Sequence, residues 1–404
     1  MEQIITHFTD NDLYTFTCQY YILQRYPRAE VEYTFFDRNK TKYPDGFAAL
    51  LQEQVNGMKS VIITDEEINF MIDKCRFLPR WYVDIFLRGY RFNPNELTIS
   101  QDAEGYLDVK VKGKWYSTIM WEMPILSTIS ELTHILQGEM NGYDKNLEYQ
   151  KAYDKAKKIC KNGLLLGDMG TRRRFSFDHH ELVIQACAEY MNEQKMIGLT
   201  DIEGRITGTS NVYFAMKYNM VPIGTMSHQI ISFEEIVSGV FECNYNVMNK
   251  WSEVYDGDNG LFLYDCFGDK AFFNNMSKRM AMLYSGLRVD SGNEEEQTQK
   301  IIDKYKSLNI DPTTKQVVYS NGLNIKRAVA IHNVVQGKVK DSYGMGTFLT
   351  CDVTNVKPMN IVLKLTKGRI TELREWHDCV KLSCDKGKTL GNAQKCEYLQ
   401  SINY

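Results

Sequence analysis

Several short stretches of this chain end in residues that could meet an anion or a sugar. The run TRRRFS places Arg172, Arg173 and Arg174 in a row. Guanidinium groups take phosphate or carboxylate oxygens two at a time, although the same run would serve as a solvated basic turn. The stretch SGLRVDSG carries Arg288, Asp290, Ser291 and Gly292. An aspartate there could accept from sugar hydroxyls or hold Mg2+ through its oxygens; Asp290 or Ser291 could equally cap a helix. KQVVYSNG closes on Ser320, Asn321 and Gly322, and YGMGT on Gly344, Gly346 and Thr347. Backbone N–H groups at such a glycine turn suit a phosphate when a helix follows, and a plain turn is the alternative. VPIGTMSHQ brings His228, one of only seven histidines, to a similar strand-to-loop transition. The chain has neither a G-x-x-x-x-G-K-[ST] loop nor an H-E-x-x-H pair, and no Ser-His-Asp arrangement that sequence alone justifies. The set as a whole favours an anionic, phosphorylated sugar.

The elements that must position these residues change along the chain. In the first third AEVEYTFF (29–36) alternates like a strand and GFAALLQEQVNGM (46–58) like an amphipathic helix. YLDVKVKGKWY (106–116) reads as a hairpin, and WEMPILSTISELTHIL (121–136) as a buried helix. From about Gly163 short apolar strands, MVPIGTM (220–226) among them, alternate with helical stretches such as Glu181–Lys195 and Thr298–Ser307. Repeated βα units imply a parallel sheet or barrel, with the chemistry at the rim where the strands end. His228 is then expected to face the same cavity as Arg172, Arg288, Asp290 and the Gly344–Thr347 turn.

Composition bounds the partners. A net charge of −3 gives no global pull toward nucleic acid or acidic membrane, and 43% hydrophobic with 25% charged residues is ordinary for a globular protein. No apolar run approaches a membrane span, and MEQIITHFTDND lacks the basic and apolar regions of a signal peptide. The ten cysteines, Cys384 among them, are scattered with no C-x-x-C pair, which reads as reduced thiols of a cytoplasmic enzyme rather than a disulfide framework or zinc site. No protein metal site is expected from spacing.

Read together, GTSNVYFAMKYNMVPIGTMSH (208–228), DMGTRRRFS (168–176), LRVDSG (287–292) and GMGTFLTCDVTNVKPMNIVLKL (344–365) closely resemble the nicotinate phosphoribosyltransferase family. TDNDLYTFTCQY (9–20) and VKLSCDKGKT (380–389) fit as well. The resemblance implies an α/β fold: an irregular, incomplete (β/α) barrel over 121–355, and an open α/β sandwich from both chain ends, 1–120 and 356–404. It implies coupling of nicotinate to 5-phosphoribosyl 1-pyrophosphate, giving nicotinate mononucleotide and pyrophosphate in NAD biosynthesis. ATP would be hydrolysed alongside through a phosphohistidine at His228, with Mg2+ as cofactor. Such an enzyme is of ligase type, formerly classed as a glycosyltransferase, and works as a cytoplasmic homodimer. By motif position, Arg288 and Asp290 join His228 as catalytic residues. Ser291, Gly292, Ser320, Asn321, Gly322, Gly344, Gly346 and Thr347 serve the ribose phosphate, and Lys381 and Lys388 fall in the late phosphate-binding stretch. Met169 takes the place of an aromatic that stacks on the pyridine ring, with Arg172 beside it. Tyr14 and Arg38 are expected to enter from across the dimer. Ser210, where amide-using relatives carry aspartate, would donate to a nicotinate carboxylate. Gln229 and Asn321 stand where the family usually has glutamate and aspartate. The alternatives are nicotinamide phosphoribosyltransferase and a catalytically impaired nucleotide-binding barrel.

Overall fold

A computed structural model describes residues 1–196, 204–383, 385 and 388–402; Cys384 lies outside them. Its strands are β1 (Glu30–Asp37), β2 (Leu97–Gln101), β3 (Leu107–Lys114), β4 (Leu165–Asp168), β5 (Arg205–Thr209), β6 (Leu261–Leu263), β7 (Gly286–Val289), β8 (Gln316–Tyr319), β9 (Lys340–Met345), β10 (Ile361–Arg369) and β11 (His377–Asp378). They make a mixed α/β fold with two sheets.

The first sheet is antiparallel, in the order β11-β10-β1-β3-β2. Its central strand β1 alternates, burying Val31, Tyr33 and Phe35 on one face. It pairs with β3 on one side and with β10, more than 300 residues later, on the other: Glu30 stands opposite Arg369 and Asp37 opposite Ile361. Both parts of the chain thus meet in one sheet. The expected hairpin at 106–116 is instead a single strand, β3, whose partner β2 precedes it. Asp102 and Gly105 make the turn, and Trp115 already begins a helix.

The second sheet is parallel, in the order β5-β4-β9-β8-β7-β6. Its strands are short, three to six residues each, and mostly buried, as expected when helices cover a parallel sheet. The chain runs outward from β4 to β5, then returns through β6, β7 and β8 to set β9 against the other edge of β4. Ligand crevices form outside the carboxyl ends of strands at such a reversal. Residues 220–226 form no strand; only a bridge from Pro222 to Thr209 extends the sheet there.

A buried ion pair ties the N-terminal segment to this sheet. Arg174, fully buried, donates to both carboxylate oxygens of Asp10 at 2.6 and 2.8 Å, and Asn211 donates to the same carboxylate at 2.7 Å. Burial opposes ionisation of Asp10, but the Arg174 guanidinium and its hydrogen bonds outweigh it and hold the carboxyl below its usual range. Removing one partner of such a pair strands the other charge. Arg174→Leu is therefore expected to destabilise the chain by about 3–5 kcal/mol, read as a lower denaturant midpoint.

Candidate active site

The carboxyl ends of the parallel strands open into a cavity of about 1040 Å³. All the candidate residues line it except Ser291 and Gly292. Seven cationic side chains (Arg38, Arg172, Arg173, Arg288, Lys364, Lys381 and Lys388) face it against four carboxylates (Asp12, Glu122, Asp290 and Asp352), so it favours an anionic ligand. Arg38 and Arg288 each keep a buried Nε–H with no acceptor among the described residues, which suits the same ligand class.

The loop after β4 is built by Asp168. Its carboxylate accepts from Gly170 N at 3.0 Å and Thr209 Oγ1 at 2.7 Å, and lies 2.8 Å from His180 Nε2. Its carbonyl accepts from Ser210 N at 2.8 Å. Asp168 thus fixes the Met169–Arg172 loop through its side chain and Ser210 through its carbonyl. Met169 packs against Gly344, where a Cβ would come within 2.4 Å of its Sδ and would push the thioether aside.

The arginine run divides its work. Arg172 faces the cavity and pairs with Glu122 at 3.7 Å, Arg173 donates from Nε to the Ile361 carbonyl, and Arg174 belongs to the ion pair with Asp10. Tyr14 also reaches Glu122, donating at 2.9 Å. The chain entering helix Leu13–Arg25 is stitched to the β5 loop: Leu13 N donates to the Ser210 carbonyl at 2.8 Å, and Asp12 bridges Asn211. Tyr14 and Arg38 line the cavity of their own chain.

Ser210 also departs from expectation. Its hydroxyl donates to Asp12 Oδ1 at 2.8 Å rather than standing free for a substrate.

Asp290 follows β7. It does not cap the next helix; Asn293 does, accepting from Glu295 N and Glu296 N. Asp290 instead accepts from Ser320 Oγ at 3.0 Å. Burial opposes its charge, but Arg288 and then Lys381 keep it below the usual carboxylate range. Asn321, where aspartate is usual, is offset by Asp385: that carboxylate accepts from Asn321 Nδ2 at 3.1 Å, from Gly292 N at 3.0 Å and from Lys388 at 2.7 Å. Gly292 lies behind the wall for this reason. Thr347 opens a short helix behind Gly346, beneath the same rim.

His228 starts helix His228–Ser238 and turns its Nε2 to Asp265 Oδ1 at 2.8 Å. Asp265 also accepts from Ser291 Oγ at 2.6 Å and stands 3.9 Å from Lys381. This is why Ser291 misses the cavity. Burial first, and Lys381 second, push the His228 imidazole down to about 4, while Asp265 opposes them. At neutral pH His228 is therefore uncharged. With Nε2–H donated to Asp265, the lone pair sits on Nδ1, which has no protein partner among the described residues. Gln229, a neutral amide, adds no charge beside it, and its Oε1 accepts from Tyr33 and, at 3.2 Å, from Trp115.

The sequence reading missed Asp12, Glu122, Asp265 and Lys364 as members of the site. Asp265 ends the strand-like run GLFLYD and so carried the same signal as Asp290. Lys364 is half-buried on β10 and lines the cavity from the antiparallel sheet.

A nicotinate phosphoribosyltransferase (NAPRTase) family model matches residues 164–395, and the N-terminal domain model of the same family matches residues 9–130. The chain belongs to this family. Among its relatives is the nicotinate phosphoribosyltransferase of Desulforapulum autotrophicum, 39% identical over 392 residues, which are 97% of each chain. That of Methanosarcina mazei is 35% identical over 384 residues, 90% of each. The crystal structure of nicotinate phosphoribosyltransferase from Porphyromonas gingivalis superposes with a TM-score of 0.91 at 35% identity, covering 99% of this chain and 100% of that one. Among the described residues no helix is long and apolar enough to cross a membrane, and the nine described cysteines are free and buried.

Proposed function

We propose that the chain is an enzyme of NAD biosynthesis that joins nicotinate to 5-phosphoribosyl 1-pyrophosphate, giving nicotinate mononucleotide and pyrophosphate, with ATP hydrolysed through a phosphohistidine. The observation that carries this reading is one cationic cavity, in a member of this family, that gathers Tyr14, Arg172 and Ser210 for the pyridine, Asp290 and Ser320 for the ribose, and His228 paired with Asp265. The pyridine nitrogen already has its lone pair, so no general base is required. As pyrophosphate leaves the anomeric carbon, positive charge grows on the ribose. Asp290, held ionised by Arg288, is placed to stabilise it, and the cations hold the leaving pyrophosphate. For ATP, Nδ1 of neutral His228 attacks the γ-phosphorus, the bond to the bridging oxygen breaks and ADP leaves. Asp265 stabilises the imidazolium so formed.

Mg2+ is the proposed ion. The carboxylates of Asp265 and Asp290 have oxygens within 4.8 Å of each other and suit a hard cation. A bound ion would neutralise charge on the leaving pyrophosphate. We assign the parallel sheet to the incomplete barrel and the antiparallel sheet to the sandwich. A cytoplasmic homodimer belongs to the same reading.

Lys364 supplies a pH dependence. Burial first, then the neighbouring Arg172 and Lys381, push its ammonium down to about 8. A lysine with a lowered pKa is charged below that value and neutral above it. Affinity for phosphoribosyl pyrophosphate is therefore expected to fall as pH rises through about 8, and Lys364→Met to flatten that limb in equilibrium binding. The function itself is tested by adding phosphoribosyl pyrophosphate and nicotinate to the protein and measuring released pyrophosphate. Release that requires nicotinate supports the reading, and none in either case overturns it.

A further inference from the structure

Ser210 cannot offer its proton to a substrate carboxylate while Asp12 is ionised, because its hydroxyl already points to Asp12 Oδ1 at 2.8 Å. The backbone fixes this pair through the Leu13–Ser210 bond and the Asp12–Asn211 bridge. Asp12 is 6% and Ser210 4% exposed, and both line the cavity. Asp12 is therefore a negative charge beside the serine that a nicotinate carboxylate would approach. Arg172 attracts Asp12 and faces Glu122 at 3.7 Å, with Lys364 also near Glu122, and Arg174 is held by Asp10. Asp168 repels Asp12, while Thr171 hydrogen-bonds to it. Tyr14 stays a neutral phenol, since burial and then the Glu122 and Asp12 charges raise its pKa well above the usual value. Arg174 is committed to Asp10, and the single charge of Arg172 is shared between Asp12 and Glu122 before a substrate carboxylate arrives.

We propose that Asp12 is a specificity-determining residue that receives nicotinate as the carboxylic acid, so that Asp12 and the substrate carboxylate share one proton beside Ser210. This rests on the nicotinate reading above. In the balance of the step, one proton passes from solvent to the Asp12 carboxylate as nicotinate binds, and no covalent bond to carbon changes. Nicotinamide brings N–H donors and no charge, so ionised Asp12 accepts it with no proton taken up. Burial, with Asp168 adding to it, already holds Asp12 above the ordinary carboxylate range, against the hydrogen bonds from Thr171 and Ser210 and the charge of Arg172. Two carboxylates sharing one proton raise it further. Above that pKa the affinity for nicotinate should fall by about tenfold per pH unit, and that for nicotinamide should stay level.

Titration calorimetry in buffers of differing ionisation enthalpy, with pyrophosphate present, tests this. At about pH 8 the native chain is expected to take up one proton per nicotinate bound and none per nicotinamide. Asp12→Asn, with a melting temperature near that of the native chain, should bind nicotinate without uptake and with an affinity that no longer falls with pH. Nicotinate binding to the native chain with no proton uptake overturns the proposal and needs no variant. The same uptake in Asp12→Asn overturns it too. If nicotinate binds at no pH, the nicotinate reading itself fails and takes this proposal with it, which separates the two failures.

Discussion

His228→Ala is expected to abolish ATP hydrolysis and acid-labile phosphate labelling while leaving slow, ATP-independent formation of nucleotide. The imidazole is neutral because burial and Lys381 disfavour its charge, and Asp265 fixes which nitrogen carries the lone pair. No other described histidine lines the cavity, so the phosphoryl group loses its acceptor. The residues around Asp290 and Arg172 make no hydrogen bond to His228, so binding and orientation of sugar and pyridine survive. The check is labelling by γ-labelled ATP, followed by acid treatment and a count of retained phosphate. Undiminished labelling in the variant would rule out His228 as the acceptor.

Ser210→Asp is expected to weaken nicotinate far more than nicotinamide. The Ser210 oxygen sits 2.8 Å from Asp12 Oδ1, so an aspartate there brings two carboxylates together before any substrate arrives. A third carboxylate a few Å away meets repulsion of about 4 kcal/mol at an effective dielectric near 20, or roughly a thousandfold in kcat/KM. Nicotinamide carries no charge and can donate to the new carboxylate. The comparison is kcat/KM for both pyridines on both proteins. An unchanged ratio would remove Ser210 from the discrimination between acid and amide.

The parts of the fold legible in the sequence were those governed by local pattern. Alternation in β1 and apolar runs before Asp168, Asp290 and Ser320 follow from which faces are buried, and the structure forms strands there. Residues 106–116 were misread because alternation does not say where the partner strand lies; Asp102–Gly105 carries the turn. Met220–Met226 looked like a strand because it is apolar, yet its backbone meets β5 only around Thr209, which donates to the Val221 carbonyl and accepts from Ile223 N, so no ladder extends from that bridge. Within the site, residues at strand ends could be found one by one. The pairings could not: Ser210 with Asp12, His228 with Asp265, and Asn321 with Asp385 join positions 198, 37 and 64 residues apart. Such contacts depend on how the sheets close around the cavity. Lys364 gave no signal because a lone lysine in a strand reads as an exposed residue on its polar face.

The central claim is that this cavity makes nicotinate mononucleotide. The purified chain should be incubated with phosphoribosyl pyrophosphate and an equimolar mixture of nicotinate and nicotinamide, with and without ATP, and the nucleotide products separated and weighed by mass spectrometry. Nicotinate mononucleotide is expected to dominate, in greater yield when ATP is present. A product that is mainly nicotinamide mononucleotide, or no nucleotide under either condition, would contradict the account.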